Sequence, residues 1–93
     1  MEIVHEADNA YILSWKRGEE VLLGFREFLA RENIRAGHFM GLGAAESLEI
    51  AFYNLVTKQY EKKRTNYDVE ILSLTGNVAM MEGKPLIHMH GVF

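Results

Sequence analysis

Apolar and polar positions alternate along this chain with two different periods, and the period assigns the elements. The stretch "AYILSW" (10–15) is β-branched, aromatic and alternating, which predicts a strand that "KRG" breaks. Over 19–32, "EEVLLGFREFLARE", the period becomes helical. Val21, Leu22, Phe25, Phe28 and Leu29 fall on one face. Glu19 and Glu20 suit the positive N-terminal end of that helix and Arg31 its negative C-terminal end. Gly24 weakens the helix interior without ending it.

Beyond the helix the period is two. "GHFMGLGAA" (37–45) is extended and short-side-chained. In "SLEIAFYN" (47–54), Leu48, Ile50 and Phe52 share one face, and Ser47, Glu49 and Ala51 the other. The polar "TKQYEKKR" (57–64) pairs back as an exposed hairpin strand. "YDVEILSLTGN" (67–77) reads as a strand closed by a Gly-Asn turn, and "VAMMEGKPLIHMHGVF" (78–93) as two strands around Glu82-Gly83-Lys84. Pro85 opens the last strand, where a missing N–H is tolerated. One helix thus follows a first strand, and about five strands follow the helix. The expectation is an α+β fold, a mostly antiparallel sheet with one main helix on one face, in a single domain over 1–93.

Composition adds bounds. A chain of 93 residues buries only about 60–65% of its unfolded surface, so oligomerisation is expected. With no cysteine there is no disulfide framework, thiolate metal site or cysteine nucleophile. No stretch approaches the ~20 apolar residues of a membrane span. The start, "MEIVHEADNA", lacks the basic and apolar regions of a signal peptide. These features point to a cytoplasmic protein without a membrane partner. The net charge of −3 offers no global attraction to phosphates, so direct DNA binding is expected to be weak or absent.

Candidate chemistry is concentrated near the end. His88-Met89-His90 places two imidazoles on one strand face, a good start for a zinc, iron or copper site that needs further ligands. His38 and His5 are the remaining histidines that could complete it. A divalent transition metal, zinc foremost, is the cofactor such residues suit; two polar residues on an exposed face are the alternative reading. "GLGAAES" (41–47) departs from the dinucleotide fingerprint, because Glu46 replaces the third glycine and a strand-like segment follows. Lys58, Lys62, Lys63 and Arg64 surround Tyr60, which allows nucleic-acid contact, although short charged strands also guard sheet edges. No Ser-His-Asp order or carboxylate pair stands out, and catalysis is not favoured.

The stretch "VEILSLTGNVAMMEGKPLIHMH" (69–90) resembles the plant and prokaryote conserved (PPC) domain, also found in plant AT-hook nuclear proteins. The matching pieces run in order: Glu70 to Leu74, Gly76-Asn77, Gly83-Lys84-Pro85, then His88-Met89-His90. Upstream, "IRAGHFMGLGAAESLEIAFYN" and the helix segment fit as well, with a Gly-x-Gly-Ala core at 41–44. The resemblance implies an antiparallel sheet with a packed helix, usually assembled as a homotrimer, in a family often described as DNA-binding or regulatory. It also implies a metal held by the His-x-His pair and a downstream histidine, and a fold similar to metal-dependent acetolactate decarboxylases. A small metal-dependent enzyme, or a non-catalytic metal-binding assembly protein, is therefore the alternative function. Two departures stand out. The family domain normally continues some forty residues past His-x-His, so the chain looks truncated at its C-terminus. No Arg-Gly-Arg-Pro hook is present.

Overall fold

The computed structural model describes residues 1–93. Its elements are β1 (Glu2–Ala7), β2 (Ala10–Ser14), α1 (Val21–Arg31), β3 (Gly37–Ala45), β4 (Leu48–Asn54), β5 (Gln59–Thr65), β6 (Val69–Met81) and β7 (Lys84–Val92). Every strand pairing is antiparallel, and one helix packs among the strands, as the alternation predicts. The ladders are three rather than one: β1-β2, β3-β6-β7 and β4-β5.

Local chemistry sets the helix ends. Glu20 is the N-cap, and its carboxylate accepts from the Leu23 N–H. At the other end Asn33 adopts φ 52° and donates to the Ala30 carbonyl at 3.2 Å, while Ile34 donates to the Leu29 carbonyl at 2.9 Å. This is the Schellman pattern, which satisfies two carbonyls that the helix leaves free. Gly24 sits where a Cβ would lie 2.8 Å from Trp15 Nε1, so the indole can lie against the helix only because the side chain is missing. Glu19 takes no part in capping. Its carboxylate accepts from the Lys16 N–H at 2.8 Å and from the N-terminal ammonium at 2.9 Å. Those two hydrogen bonds, the Lys16 one foremost, hold its pKa below the ordinary carboxylate value.

The apolar face of α1 makes the core. Phe25, Phe28 and Leu29 are buried with Val78 of β6. Phe39 and Ile87 close the cluster from the three-stranded sheet; Ile3, Tyr11 and Leu13 close it from the β1-β2 hairpin. Edge-on aromatic contacts fix the packing: Tyr11 on Phe28 at 5.0 Å and Phe39 on Phe25 at 5.0 Å. No other residue is buried.

Two expectations need correction. The segment before the first expected strand is itself a strand, β1, whose mostly exposed positions give little alternation to read. More consequentially, Gly76-Asn77 is no turn, because β6 runs straight through it to Met81. Gly76 lies mid-sheet between Phe39 and Met89, where a Cβ would stand 2.0 Å from the His88 carbonyl oxygen. The glycine permits close backbone approach, the other reason for glycine in a strand. The true turn is Glu82-Gly83, with φ of 52° and 77°. Positive φ at both positions is the type I′ geometry that matches strand twist.

Candidate functional site

The uninterrupted β6 decides how the histidines are arranged. His38 of β3 pairs with Asn77 of β6, and Asn77 pairs on its other side with His88 of β7. The next row on the same face is Met40, Thr75 and His90. All three sequence-predicted histidines therefore occupy one face of the β3-β6-β7 sheet, and all are exposed. The opposite face carries Phe39, Val78 and Ile87 against α1. Alternation explains the division, since residues two apart along a strand share a face and directly paired residues do too.

Sharing a face does not bring the histidines together. His88 and His90 are about 6.7 Å apart along the strand, near enough for two imidazoles to lean onto one ion. His38 lies two strands from His88, about 9.5 Å away, with Asn77 between them. No three histidine or carboxylate side chains converge as metal ligands. His5 is on β1, in a different ladder. Asn77 and Thr75, which complete the polar rows, escaped the sequence reading because Gly76-Asn77 looked like a turn. The alternation of Ser73, Thr75 and Asn77 was the signal available.

The basic residues occupy the β4-β5 ribbon. β4 and β5 pair only with each other and contain no buried residue. Their turn is shaped by Asn54, whose Oδ1 accepts from the Val56 and Thr57 N–H groups at 2.9 and 3.1 Å, while Lys58 takes φ 57°. The period of two splits the basic stretch. Lys62 and Arg64 share a face with Tyr60, Tyr53 and Glu49; Lys63 points the other way with Ile50 and Phe52; Lys58 lies in the turn. Tyr53 and Tyr60 meet edge-on at 5.2 Å, and Lys62 approaches Glu49 at 3.9 Å. The four cations are thus not one patch. Four basic and two acidic residues still give the ribbon +2, which leaves −5 on the remainder of a chain of net −3.

A third feature lies where β3 and β6 slip register between Gly41 and Gly43. Met40, Leu42, Leu72 and Leu74 line an open cleft of about 590 Å³ there. A neighbouring depression of about 460 Å³ adds Ile71 and Glu70. Met40 and Leu42 are 87% and 85% exposed, so this is uncovered apolar surface. Nothing in the local pattern marks it, because exposure at a bulge depends on what packs above it.

Residues 3–93 match the family model described as the Plants and Prokaryotes Conserved (PCC) domain. Among curated proteins, none matches the chain. Several solved structures do. A proposed DNA-binding protein from Bacteroides thetaiotaomicron is 31% identical with a TM-score of 0.87, over 94% of this chain and 61% of its own. A metal-containing protein from Archaeoglobus fulgidus is 34% identical with a TM-score of 0.85, over 98% and 65%. A plant- and prokaryote-conserved protein from Pyrococcus horikoshii is 28% identical with a TM-score of 0.76, over 83% and 54%. The chain therefore spans less than two thirds of the length of these structures. No helix of the chain is long and apolar enough to cross a membrane.

Proposed function

Because the chain belongs to the Plants and Prokaryotes Conserved domain family, the PPC domain of the resemblance, we propose that it works as an oligomeric module, a homotrimer of DNA-associated regulatory type. The unpartnered β4-β5 ribbon carries the assembly reading: it pairs with no other strand, Ile50 and Phe52 on one of its faces are 37% and 52% exposed, and an isolated two-stranded hairpin is at best marginally stable in water.

The DNA part rests on the ribbon and on the related structures described as proposed DNA-binding proteins. With only +2 on the ribbon and an acidic remainder, the contact is weak, non-specific and steeply salt-dependent. Sedimentation equilibrium at tens of micromolar, a range in which interfaces with micromolar constants are occupied, should give three times the chain mass. Fluorescence anisotropy with labelled duplex DNA should show no sequence preference at physiological salt. A stable monomer sinks the assembly reading, and submicromolar sequence-selective binding sinks the account of the ribbon.

The second reading, a divalent transition metal at His88 and His90, is favoured by their shared exposed face and by the metal-containing relative. Neutral imidazoles would hold the ion, and a zinc would polarise a bound water. Two protein ligands leave the remaining positions to water or to another subunit, so affinity is low, and it falls in mild acid as protons compete for the same nitrogens. Zinc calorimetry on His88→Ala and His90→Ala should lose the binding isotherm in both variants. An unchanged isotherm in both rules out a shared site. Uncommonly tight binding in the wild type would instead mark a third ligand, with His38 the first to test.

A further inference from the structure

Tyr53 and Tyr60 are direct cross-strand partners near the tip of the β4-β5 ribbon. Behind them on the same face come the pairs Ala51-Lys62 and Glu49-Arg64. Each pair stands about 6.7 Å from the next, because it is two residues further along the strands. Read back from the turn, the face presents two aromatic rings, then a cation beside a methyl group, then a second cation beside a carboxylate. Ile50 and Phe52, which carry the assembly reading, lie on the other side of the ribbon.

The rings are set to receive something flat. Tyr53 and Tyr60 meet edge-on, with centroids 5.2 Å apart and planes at 73°. Two stacked rings would cover each other's faces, whereas an edge-on pair leaves ring faces open. Tyr60 is 71% exposed and Tyr53 46%. Cross-strand pairing accounts for the contact between the rings. It does not account for a cation at each of the next two positions on the same side of β5. Across from Lys62, Ala51 is small, so a planar group resting on the rings meets no bulky neighbour on β4.

We propose that this face binds single-stranded nucleic acid, a base stacking on Tyr60 and Tyr53 and the adjoining phosphates meeting Lys62 and Arg64; this rests on the reading of the ribbon as the nucleic-acid contact. Two observations select a single strand over a duplex. First, the rings can stack only on a base that offers its own π-face, and inside a duplex both faces of each base lie against neighbouring pairs. Second, the charge is small. Two cations share the face with Glu49, which Lys62 approaches at 3.9 Å, so phosphate attraction alone holds little. Base–aromatic stacking adds affinity that does not depend on the charge count. Every base has a π-face, so such a site discriminates little between sequences, in keeping with the non-specific contact proposed above.

The test is fluorescence anisotropy on the full chain at low salt. The labelled probes are oligo-dT, oligo-U, an abasic deoxyribose-phosphate strand of the same length, and a mixed-sequence duplex. Oligo-dT and oligo-U should both bind, the tighter of the two naming the natural strand. Oligo-dT should bind about tenfold more tightly than the abasic strand, the effect of one stacked base, and more tightly than the duplex. Its affinity should fall with salt at a log–log slope of about −1.4, for two phosphates on a single strand. Tyr60→Thr, which keeps a β-branched strand former, should reduce oligo-dT binding to the abasic level, while Tyr60→Phe should hold the wild-type affinity. Lys62→Ala should lower the salt slope by about 0.7, and Glu49→Gln should strengthen binding. Equal affinity for oligo-dT and the abasic strand overturns the stacking site and leaves the phosphate contact of the ribbon standing; this comparison needs no variant, so it decides even where Tyr60→Thr fails to fold. A duplex bound more tightly than oligo-dT, or a folded Tyr60→Thr chain with unchanged affinity, has the same consequence. No binding to any probe, the duplex included, overturns both readings.

Discussion

Replacing Gly76 with alanine puts one methyl group at the most crowded point of the sheet. The added Cβ would lie 2.0 Å from the His88 carbonyl oxygen, 2.6 Å from Phe39 Cζ and 3.0 Å from the His88 carbonyl carbon. Phe39 can swing away at the expense of its edge-on contact with Phe25. The His88 carbonyl cannot, because it belongs to the backbone of β7, which runs alongside β6 from Ser73 to Met81. Relief requires the two strands to separate. Inserting a methylene into a packed site costs 1–3 kcal/mol when side chains can yield. Here backbone must yield, so about 3 kcal/mol is expected, with an entropic gain from losing glycine that is smaller than 1 kcal/mol. For a chain of this length that corresponds to a fall in Tm of roughly 10–25 °C. The assay is urea unfolding at fixed protein concentration, followed by fluorescence of Trp15, the single tryptophan, which packs on Phe25. Gly37→Ala is the matched control. It lies in the paired strand with nothing within 4 Å of its added Cβ, and its effect should stay within about 0.5 kcal/mol. A Gly76→Ala protein within 1 kcal/mol of wild type, or a Gly37→Ala protein equally destabilised, would refute the close-approach account of Gly76.

Phe28→Ala empties a site that is 2% exposed and should cost about 3–5 kcal/mol, whereas Leu23→Ala, on the solvent side of the same helix, should cost well under 1 kcal/mol; thermal melts of the two variants compare them. Glu19 should give stability an acid limb. Its folded-state pKa is depressed, so its contribution is complete above the unfolded carboxylate value and drains as pH falls through the folded one. Glu19→Gln should flatten that limb in urea midpoints measured from pH 6 downward, and an unchanged limb would show that the contact to Lys16 and the N-terminal ammonium contributes nothing. Asn54→Ala removes the side-chain acceptor of two turn N–H groups, so amide hydrogen exchange at Val56 and Thr57 should accelerate while the helix amides stay protected.

Local pattern carried a good part of this molecule. The helical spacing of Val21, Leu22, Phe25, Phe28 and Leu29 was enough to place α1 within two residues at its start and one at its end, because an amphipathic face is written at fixed intervals along the chain. The division of β4 into two faces, the exposed return of β5 and the Glu82-Gly83 turn were legible for the same reason: each depends on neighbours within a few positions. The shared face of His88 and His90 followed from the strand period alone.

Other properties depend on partners distant in sequence. Gly76-Asn77 has the composition of a turn, and only the presence of β3 and β7 on either side of β6 makes it the centre of a sheet. His38 was a free candidate ligand in the sequence; strand order put it on the histidine face yet two strands from His88. The run of Lys62, Lys63 and Arg64 looked like a patch, and pairing with β4 divided it between two faces. The uncovered cleft at Met40, Leu42 and Leu72 has no local signature at all. Periodicity reports which way a side chain points, a property of the backbone within one turn or two residues. What lies opposite that side chain, and whether anything covers it, is set by which strands pair and in what order, and that was decided only when the chain folded.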